Sequence, residues 1–448
     1  METLPREIKF MIVDQCDFLS KIRLNSINHD FHVNVQIYDL MNIPKKFLNK
    51  LNDEILRQRK FQNLKKLKLN NNITLCSIFR FNLIELNAKK NKKIHNVSFM
   101  NNLKKLNASG NCGIDQQGIQ GLDLIELVAH DNIKIKDVSF MKKLKCLDVS
   151  GTLHKNLYYP ISICGVDQKG IRGLDLIELK ANANKNITNV SFMKNLKRLE
   201  AKNRSGIDQN GICGLDLIEL NIYANDKIKN ISFMKNLKKL DITFNCKMGQ
   251  KGIENLDLVE LNVYSCINIH DVSFMKNLKK LDARASSIKQ KGIMGLNLIE
   301  FHASVYIEDV AFMKNLKILD VSYGKINQKV INELDLIELY AYDKREINNV
   351  AFMKNLKRLD ASGEYCGIDQ KGIKDLDLVE LNANNNAKIN NVTFMKNLKI
   401  LNASNKCGID QEGIRGLNLI TLIATNNDKI KNSKMIIDFF NKKSYAQF

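Results

Sequence analysis

The sequence has no tryptophan, three prolines in 448 positions, and no stretch that approaches the length of an apolar membrane span. The missing apolar stretch excludes a conventional membrane-spanning helix, and the first residues lack the apolar core of a signal peptide. We therefore expect a soluble cytoplasmic protein that makes no contact with a membrane. The scarcity of proline, a common loop residue, indicates one repeated architecture with a few standard turns.

Motifs for metal binding and catalysis are also missing. The ten cysteines form no C-x-x-C pair, so we predict neither a zinc site nor a disulfide framework and expect small, buried, reduced thiols. The seven histidines lack metal-ligand spacing, and there is no Walker-type glycine loop, G-x-S-x-G elbow or H-E-x-x-H motif. We expect no enzymatic activity, no catalytic residues, no metal and no cofactor.

The chain does contain a repeat. The pair Phe-Met recurs about every 41 residues, and its members begin at Phe99, Phe140, Phe192, Phe233, Phe274, Phe312, Phe352 and Phe394. Each interval holds two half-units, such as those that start at Leu103 and Leu124. Both fit L-x-x-L-x-L-x-x-N, which resembles the leucine-rich repeat. Nine half-units of each kind give about eighteen coils.

A single coil of this length cannot bury its apolar side, so neighbouring coils must stack and pair their short strands. The predicted fold class is therefore an α/β solenoid, a leucine-rich-repeat horseshoe with a concave parallel sheet, over residues 61–431. Residues 432–448 read as an amphipathic helix that caps the last coil.

Residues 1–60 do not share the repeat. Pro5 and Glu7 favour the start of a helix, and Asp17 can cap a second helix. We predict a small helical module over 1–34, followed by a helical linker and N-terminal cap over 35–60.

The first segment resembles an F-box, through Leu-Pro-x-Glu-Ile at 4–8 and the apolar positions that follow. The resemblance implies that a Skp-type adaptor of an SCF-type ubiquitin ligase contacts Leu4, Pro5, Glu7, Ile8, Ile12, Phe18, Leu24 and Phe31. The phrase Cys-Gly-Ile-Asp-Gln-x-Gly-Ile, at 112–119, 366–373 and 407–414, resembles F-box/leucine-rich-repeat proteins of amoeba-infecting giant viruses. Such an origin implies the host cytoplasm as the location.

The implied function is that of a protein-interaction adaptor. The F-box docks the Skp-type adaptor, and the solenoid binds an unidentified target protein that is to be ubiquitinated. The alternative is a leucine-rich-repeat binding module without a ubiquitin-ligase role, in which residues 1–60 only cap the first coil.

Two charged columns follow the repeat. At the third coil position, glutamates such as Glu126 alternate with basic residues such as Lys105, which predicts a scaffold ladder of opposite charges. A second column, the lysine rim, comprises Lys65, Lys104, Lys145, Lys197, Lys238, Lys279, Lys317, Lys357 and Lys399, with Lys142, Lys194, Lys235, Lys276, Lys314, Lys354 and Lys396. The rim is interpreted as a solvated edge or as a site for an acidic partner. Nucleic acid is disfavoured, because no aromatic residues interleave with the lysines as stacking platforms.

Other strand positions vary between coils and are candidates for partner contact. The predicted partner-binding residues are His130, Tyr223, Tyr264, His302, Tyr340 and Tyr342, with Tyr158 and Tyr159 in an inserted segment at 152–163. Tyrosines on an exposed sheet suit a protein-binding hot spot, although unconstrained surface variation gives the same pattern. The insertion either contacts a partner or folds back on its own coil.

Overall fold

The computed structural model describes residues 16, 20–21, 36–153, 160–162 and 164–431. Most of the predicted F-box module, including all eight of its predicted adaptor contacts, lies outside the described residues, and so does the predicted C-terminal helix. The chain divides into two compact units, Met1–Ile228 and Lys229–Phe448.

Short parallel strands build the first unit. Its strands are β1 (Asp39–Leu40), β2 (Lys66–Lys68), β3 (Glu85–Asn87), β4 (Lys105–Asn107), β5 (Glu126–Val128), β6 (Cys146–Asp148), β7 (Thr152–Leu153), β8 (Pro160–Ser162), β9 (Glu178–Lys180), β10 (Arg198–Glu200) and β11 (Glu219–Asn221). β1 to β6 pair in chain order, and β6 then pairs with β9, which continues to β11. β7 and β8 form an antiparallel hairpin inside the predicted insertion.

The second unit repeats the same arrangement without a hairpin among its described residues. Its strands are β12 (Lys239–Asp241), β13 (Glu260–Asn262), β14 (Lys280–Asp282), β15 (Glu300–His302), β16 (Ile318–Asp320), β17 (Glu338–Tyr340), β18 (Arg358–Asp360), β19 (Glu380–Asn382), β20 (Ile400–Asn402) and β21 (Thr421–Ile423). Each strand pairs in parallel with the next along the chain. A strand occurs in every one of the eighteen predicted coils, so the predicted parallel-sheet solenoid is confirmed within each unit.

Helical segments are short. The α-helices are α1 (Lys45–Leu48), α2 (Asp53–Leu56) and α3 (Leu75–Ile78) in the first unit and α4 (Gln328–Ile331) in the second. The 3₁₀ segments are Arg59–Phe61, Gln117–Ile119, Lys169–Ile171 and Asn210–Ile212, then Gln250–Gly252, Gln290–Ile293 and Glu412–Ile414. No helix of the described part of the chain is long and apolar enough to cross a membrane.

The repeated leucines and asparagine have direct structural causes. In the coil that starts at Leu124, the side chains of Leu124, Leu127 and Ala129 are completely buried. The buried Asn132 donates from Nδ2 to the carbonyl oxygens of Ala108 (2.8 Å) and Ile114 (3.0 Å). The asparagine therefore satisfies backbone groups of the preceding coil that burial would otherwise leave without partners.

The Asp-Gln-x-Gly part of the repeat also serves the scaffold. Gln116 Oε1 accepts hydrogen bonds from the amides of Lys136 (2.9 Å) and Asp137 (2.8 Å) in the next coil. Asp115 Oδ1 accepts from the amide of Gly118 (2.9 Å). A Cβ atom at Gly118 would lie 2.0 Å from the carbonyl oxygen of His95, so this close approach of two backbones requires glycine.

The prediction for the cysteines is right in part. All ten are free thiols, and Cys112, Cys164, Cys266, Cys366 and Cys407 are buried. Three are exposed, contrary to the prediction: Cys76, Cys213 and Cys246. Cys213 directly follows the 3₁₀ segment Asn210–Ile212.

Candidate functional site

The third and fifth positions of each coil place their side chains on the outer side of the sheet. In β14, Lys280 is exposed, Leu281 is buried and Asp282 is half-buried. This alternation is the ordinary period of a strand. The varying side chains therefore form continuous columns across neighbouring coils.

The predicted ladder of opposite charges is present in the third column. Ion pairs join Lys105 to Glu126 (2.9 Å), Arg198 to Glu178 (2.9 Å), Lys239 to Glu260 (3.3 Å) and Lys280 to Glu300 (3.3 Å). Because these pairs are largely exposed to solvent, each contributes little to stability. Their regular register instead favours one alignment of the coils.

The ladder is interrupted where the basic residue is replaced. Ile318 lies in register between Glu300 and Glu338, so neither glutamate finds a cation there. Cys146 lies in the same way between Glu126 and Glu178 in the first unit. At these two positions the glutamates take partners from their own strand or from the other side, and these partners create denser polar clusters; Ile400, beside Glu380, interrupts the ladder without such a cluster.

On one side of Ile318, Glu300 contacts His302. The imidazole Nε2 lies 3.3 Å from Glu300 Oε1, and Nδ1 lies 3.3 Å from Asp320 Oδ2. Burial lowers the pKa of this imidazole, but the hydrogen bonds to Asp320 and Glu300 outweigh it and raise the pKa of His302 to about 9. His302 is therefore a cation at neutral pH and cannot serve there as a general base.

Asp320 also binds an arginine. The Arg284 guanidinium makes two contacts with Asp282, Nε to Oδ1 at 3.0 Å and Nη2 to Oδ2 at 2.7 Å. Its Nη1 lies 3.4 Å from Asp320 Oδ2. The bidentate geometry fixes the guanidinium plane, so Asp282, Arg284, His302, Asp320 and Glu300 form one network of alternating charges.

On the other side of Ile318, Glu338 accepts a hydrogen bond from the Tyr340 hydroxyl at 3.0 Å. Arg358 bridges Glu338 and Glu380, with its Nε 3.3 Å from Glu380 Oε2. Burial and the negative charge of Glu338 raise the pKa of Tyr340, which therefore stays a neutral hydrogen-bond donor. The Tyr340 ring lies 6.4 Å from the His302 ring, centroid to centroid.

Exposed aromatic side chains line the edge where the strands of the second unit end. This aromatic rim consists of Phe244, Tyr306, Tyr323, Tyr342 and Tyr365, which are 37–53% exposed. Each follows a strand, and the carboxyl ends of parallel strands meet at one edge. Tyr264 connects the rim to the charged network, because its ring lies 5.2 Å from the Phe244 ring and 5.5 Å from the Arg284 guanidinium.

The first unit has its own cluster beside Cys146. Lys180 lies 3.1 Å from Glu200, which also accepts hydrogen bonds from Asn182 and Lys202. Burial opposes ionisation of Glu200, but these contacts lower its pKa to about 2. His130 Nε2 lies 2.8 Å from Asp131 Oδ2, and the Thr152 hydroxyl at the start of the hairpin donates to the same oxygen at 2.6 Å.

Three of the predicted partner-binding residues, Tyr264, His302 and Tyr340, lie in or beside the charged network, and Tyr342 lies on the aromatic rim. Tyr223 and His130 are half-buried in the first unit, whereas Tyr158 and Tyr159 lie outside the described residues. The sequence interpretation assigned no partner contact to Arg284, Asp282 or Asp320. Comparing both coil types column by column would have placed all three around His302.

Within the described residues, no group of three or more His, Cys, Asp or Glu side chains has an arrangement that could hold a metal ion. The hydroxyl of Ser304, the serine nearest in sequence to His302, is buried and donates to the carbonyl oxygen of Ile288 at 2.6 Å. The charged network thus offers a fixed pattern of donors and acceptors beside exposed aromatic rings. Such a pattern suits recognition of another molecule.

Comparisons with known proteins add structural similarities at low identity. No protein-family model and no curated protein sequence matches the chain. An internalin, InlF, from Listeria monocytogenes has 15% identity and a TM-score of 0.34, with 68% of this chain and 83% of that chain covered. The TLR13–ssRNA13 complex gives 16% identity and 0.45, with 78% and 65% covered. The mouse RP105/MD-1 complex gives 13% and 0.43, with 85% and 71% covered. The fold assignment therefore rests on the strand register described above.

Proposed function

We propose that the protein is a protein-interaction adaptor that binds a target protein through the strand face and aromatic rim of its second unit. The observation that supports the proposal most directly is the aromatic rim beside a charged network whose groups are already paired. Tyrosine buries a large area at low entropic cost and keeps a polar tip. Groups that are paired beforehand lose less on desolvation than unpaired charges.

The test is affinity capture followed by quantitative mass spectrometry, with the triple variant Tyr323→Ser/Tyr342→Ser/Tyr365→Ser beside the wild type. A matched control replaces three comparably exposed phenylalanines elsewhere in the repeat, Phe233→Ser/Phe274→Ser/Phe352→Ser. We expect at least one captured protein to be lost with the tyrosine variant and retained with the control. Identical sets of captured proteins for both variants and the wild type would contradict the proposal.

We further propose that the partner is a substrate for ubiquitination and that the chain is the recognition subunit of an SCF-type ligase. This proposal rests on the F-box resemblance of Leu4, Pro5, Glu7, Ile8, Ile12, Phe18, Leu24 and Phe31. The resemblance of the Cys-Gly-Ile-Asp-Gln-x-Gly-Ile phrase to giant-virus proteins extends the proposal to action in the cytoplasm of an infected host.

A purified Skp-type adaptor tests this second proposal. The full chain should retain the adaptor in a pull-down, and Leu4→Ala/Pro5→Ala should lose it. Absence of the adaptor from the wild-type eluate would reject the ligase role. Deletion of residues 1–31 then examines the alternative, since loss of a cap should lower the melting temperature strongly and loss of an independent F-box should hardly change it.

A further inference from the structure

The amino-terminal edge of the strands carries a second surface, opposite to the aromatic rim. In the second unit the lysine rim supplies one pair of lysines for every two coils, at positions three residues apart. The central pairs are Lys276 with Lys279, Lys314 with Lys317, and Lys354 with Lys357. Lys276, Lys314, Lys354 and Lys357 are exposed, and Lys279 and Lys317 are half-buried.

Carboxylates on this edge are engaged mainly by asparagines. Asp257 accepts hydrogen bonds from the backbone amide (3.2 Å) and the side-chain amide (2.5 Å) of Asn277. Asp377 accepts the same two bonds from Asn397, and Asp335 accepts two from the Asn355 side chain. Among the six central lysines, the described structure contains one ion pair, Lys317 with Asp335 at 3.3 Å. These hydrogen bonds leave the three aspartates charged, but six lysines against three carboxylates still give the edge a net positive charge.

At the second position of each coil, directly after its first leucine, lysines alternate with exposed aliphatic side chains. Ile299, Ile337 and Val379 are 43%, 41% and 37% exposed. Backbone hydrogen bonds place them in one column with the lysines, because Lys317 N donates to Ile299 O (2.9 Å) and Ile337 N donates to Lys317 O (2.8 Å). The column alternates a cation and an aliphatic side chain from coil to coil.

The spacing between the lysines of this column fits one backbone conformation of a bound peptide better than another. Strands lie about 4.8 Å apart, so equivalent lysines two coils apart are separated by about 9.6 Å. A polyproline II chain rises about 3.1 Å per residue with three residues per turn, so every third side chain lies on the same side about 9.3 Å further on. In a β-strand, same-side residues recur every two positions, at about 6.6 Å, which does not match.

We propose that this column binds an acidic segment of a partner protein in the polyproline II conformation, with a carboxylate at every third residue. The carboxylates pair with the lysines, and the residues between them contact Ile299, Ile337 and Val379. From Lys238 to Lys399 the column contains five lysines and extends about 38 Å. A segment of about twelve residues covers that length.

The competing occupant is a single-stranded nucleic acid. Contrary to the sequence interpretation, exposed aromatic rings do occur among the lysines, because Phe274 and Phe352 are 36% and 41% exposed and precede Lys276 and Lys354 by two residues. The alternating column favours a peptide, since its apolar members are aliphatic and offer no ring on which a base could stack.

The experiment measures fluorescence anisotropy of a labelled peptide of four Glu-Pro-Pro triplets with the full chain, at about 50 mM salt. An isomeric peptide with its four glutamates consecutive tests the spacing, and a thymidine oligonucleotide of equal length tests the alternative. Lys279→Glu/Lys317→Glu/Lys357→Glu reverses the column. Its matched control is Lys251→Glu/Lys291→Glu/Lys371→Glu, which changes exposed lysines on the return segments.

We expect the triplet peptide to bind at least about tenfold more weakly to the column variant than to the control, whose affinity should match the wild type. The isomeric peptide should bind more weakly than the triplet peptide. Ile299→Ser/Ile337→Ser should also weaken binding and leaves every lysine in place. The proposal is overturned if the triplet peptide does not bind, if both charge variants behave alike, if the isomer binds equally well, or if the oligonucleotide binds more tightly.

Discussion

His302 is expected to remain a charged imidazolium throughout the neutral pH range. Its side chain is 12% exposed and lies between two carboxylates, Asp320 and Glu300, at 3.3 Å from each. An unperturbed histidine titrates near pH 6.5, so it would be mostly neutral at pH 8. Because the pKa of His302 is raised to about 9, this histidine should instead be mostly protonated at pH 8.

The magnitude follows from linkage between protonation and folding. The pKa is higher in the folded state than in the unfolded chain, so the stabilisation is complete below about pH 6.5 and is lost as pH rises through 9. The difference of 2.5 (9 minus 6.5) corresponds to about 3–4 kcal/mol, at about 1.4 kcal/mol per pH unit. Because the group is buried, screening by solvent reduces this free energy only modestly.

The assay is NMR titration of the protein with ¹³C-labelled histidine rings, where His302→Gln identifies the resonance. Asp320→Asn removes one of the two carboxylates and should lower the pKa of His302 by at least about one unit. In parallel, wild type should lose unfolding free energy between pH 6.5 and 9.5 relative to His302→Gln, as measured by urea denaturation. A wild-type pKa below 7 would refute the reasoning, because the two contacts would then fail to offset burial.

Other predictions concern the scaffold and the thiols. Gly211→Ala should lower the melting temperature by several degrees, because a Cβ atom would lie 2.0 Å from the carbonyl oxygen of Thr188. Gly249→Ala is the control and should have a small effect, since no atom lies within 4 Å of the added Cβ. Asn386→Ala should cost about 2–4 kcal/mol in urea unfolding, because it removes hydrogen bonds to the carbonyl oxygens of Ala361 and Ile368; the exposed Asn390→Ala is the control. Brief alkylation followed by mass spectrometry should modify the exposed Cys76, Cys213 and Cys246 first. Burial raises the pKa of Cys164 to about 12 and that of Cys366 to about 11, so both thiols should react slowly. Rapid labelling of either buried thiol would contradict the structure.

The scaffold could be predicted from the sequence because each repeated residue makes the same contacts in every coil. Leu127 is buried because a strand alternates sides, and Asn132 is buried because it satisfies carbonyl oxygens of its neighbours. A period of two coils was enough to place all eighteen of these strands. β1 was not predicted, because its segment matches the repeat only at Ile37 and Leu40, and Asn42 and Lys45 stand where the pattern requires an apolar residue and an asparagine.

The candidate site was predicted less completely. His302 and Tyr340 stood out because they lie in a strand column whose residues vary from coil to coil, but their partners did not. Asp320 has the same residue type as its equivalents Asp282 and Asp360, and only its position next to His302 changes its role. The aromatic rim was mostly missed, because its members follow their strands at different distances and so share no fixed repeat position.

Ile318 connects these observations. Because Ile318 stands where a cation would, Glu300 and Glu338 face an apolar side chain on that side and keep a cation, Lys280 or Arg358, only on the other side. Glu300 then contacts His302, and Glu338 contacts Tyr340. A partner that covers this face would remove water from charges that are already paired, which lowers the cost of desolvation relative to unpaired charges. Under the proposed function, the fixed charges would discriminate between partners, and the aromatic rim beside them would add buried area. The surface is distinctive because Ile318 occurs together with Arg284, His302 and Tyr340, since Ile400 interrupts the same column beside Glu380 without such neighbours.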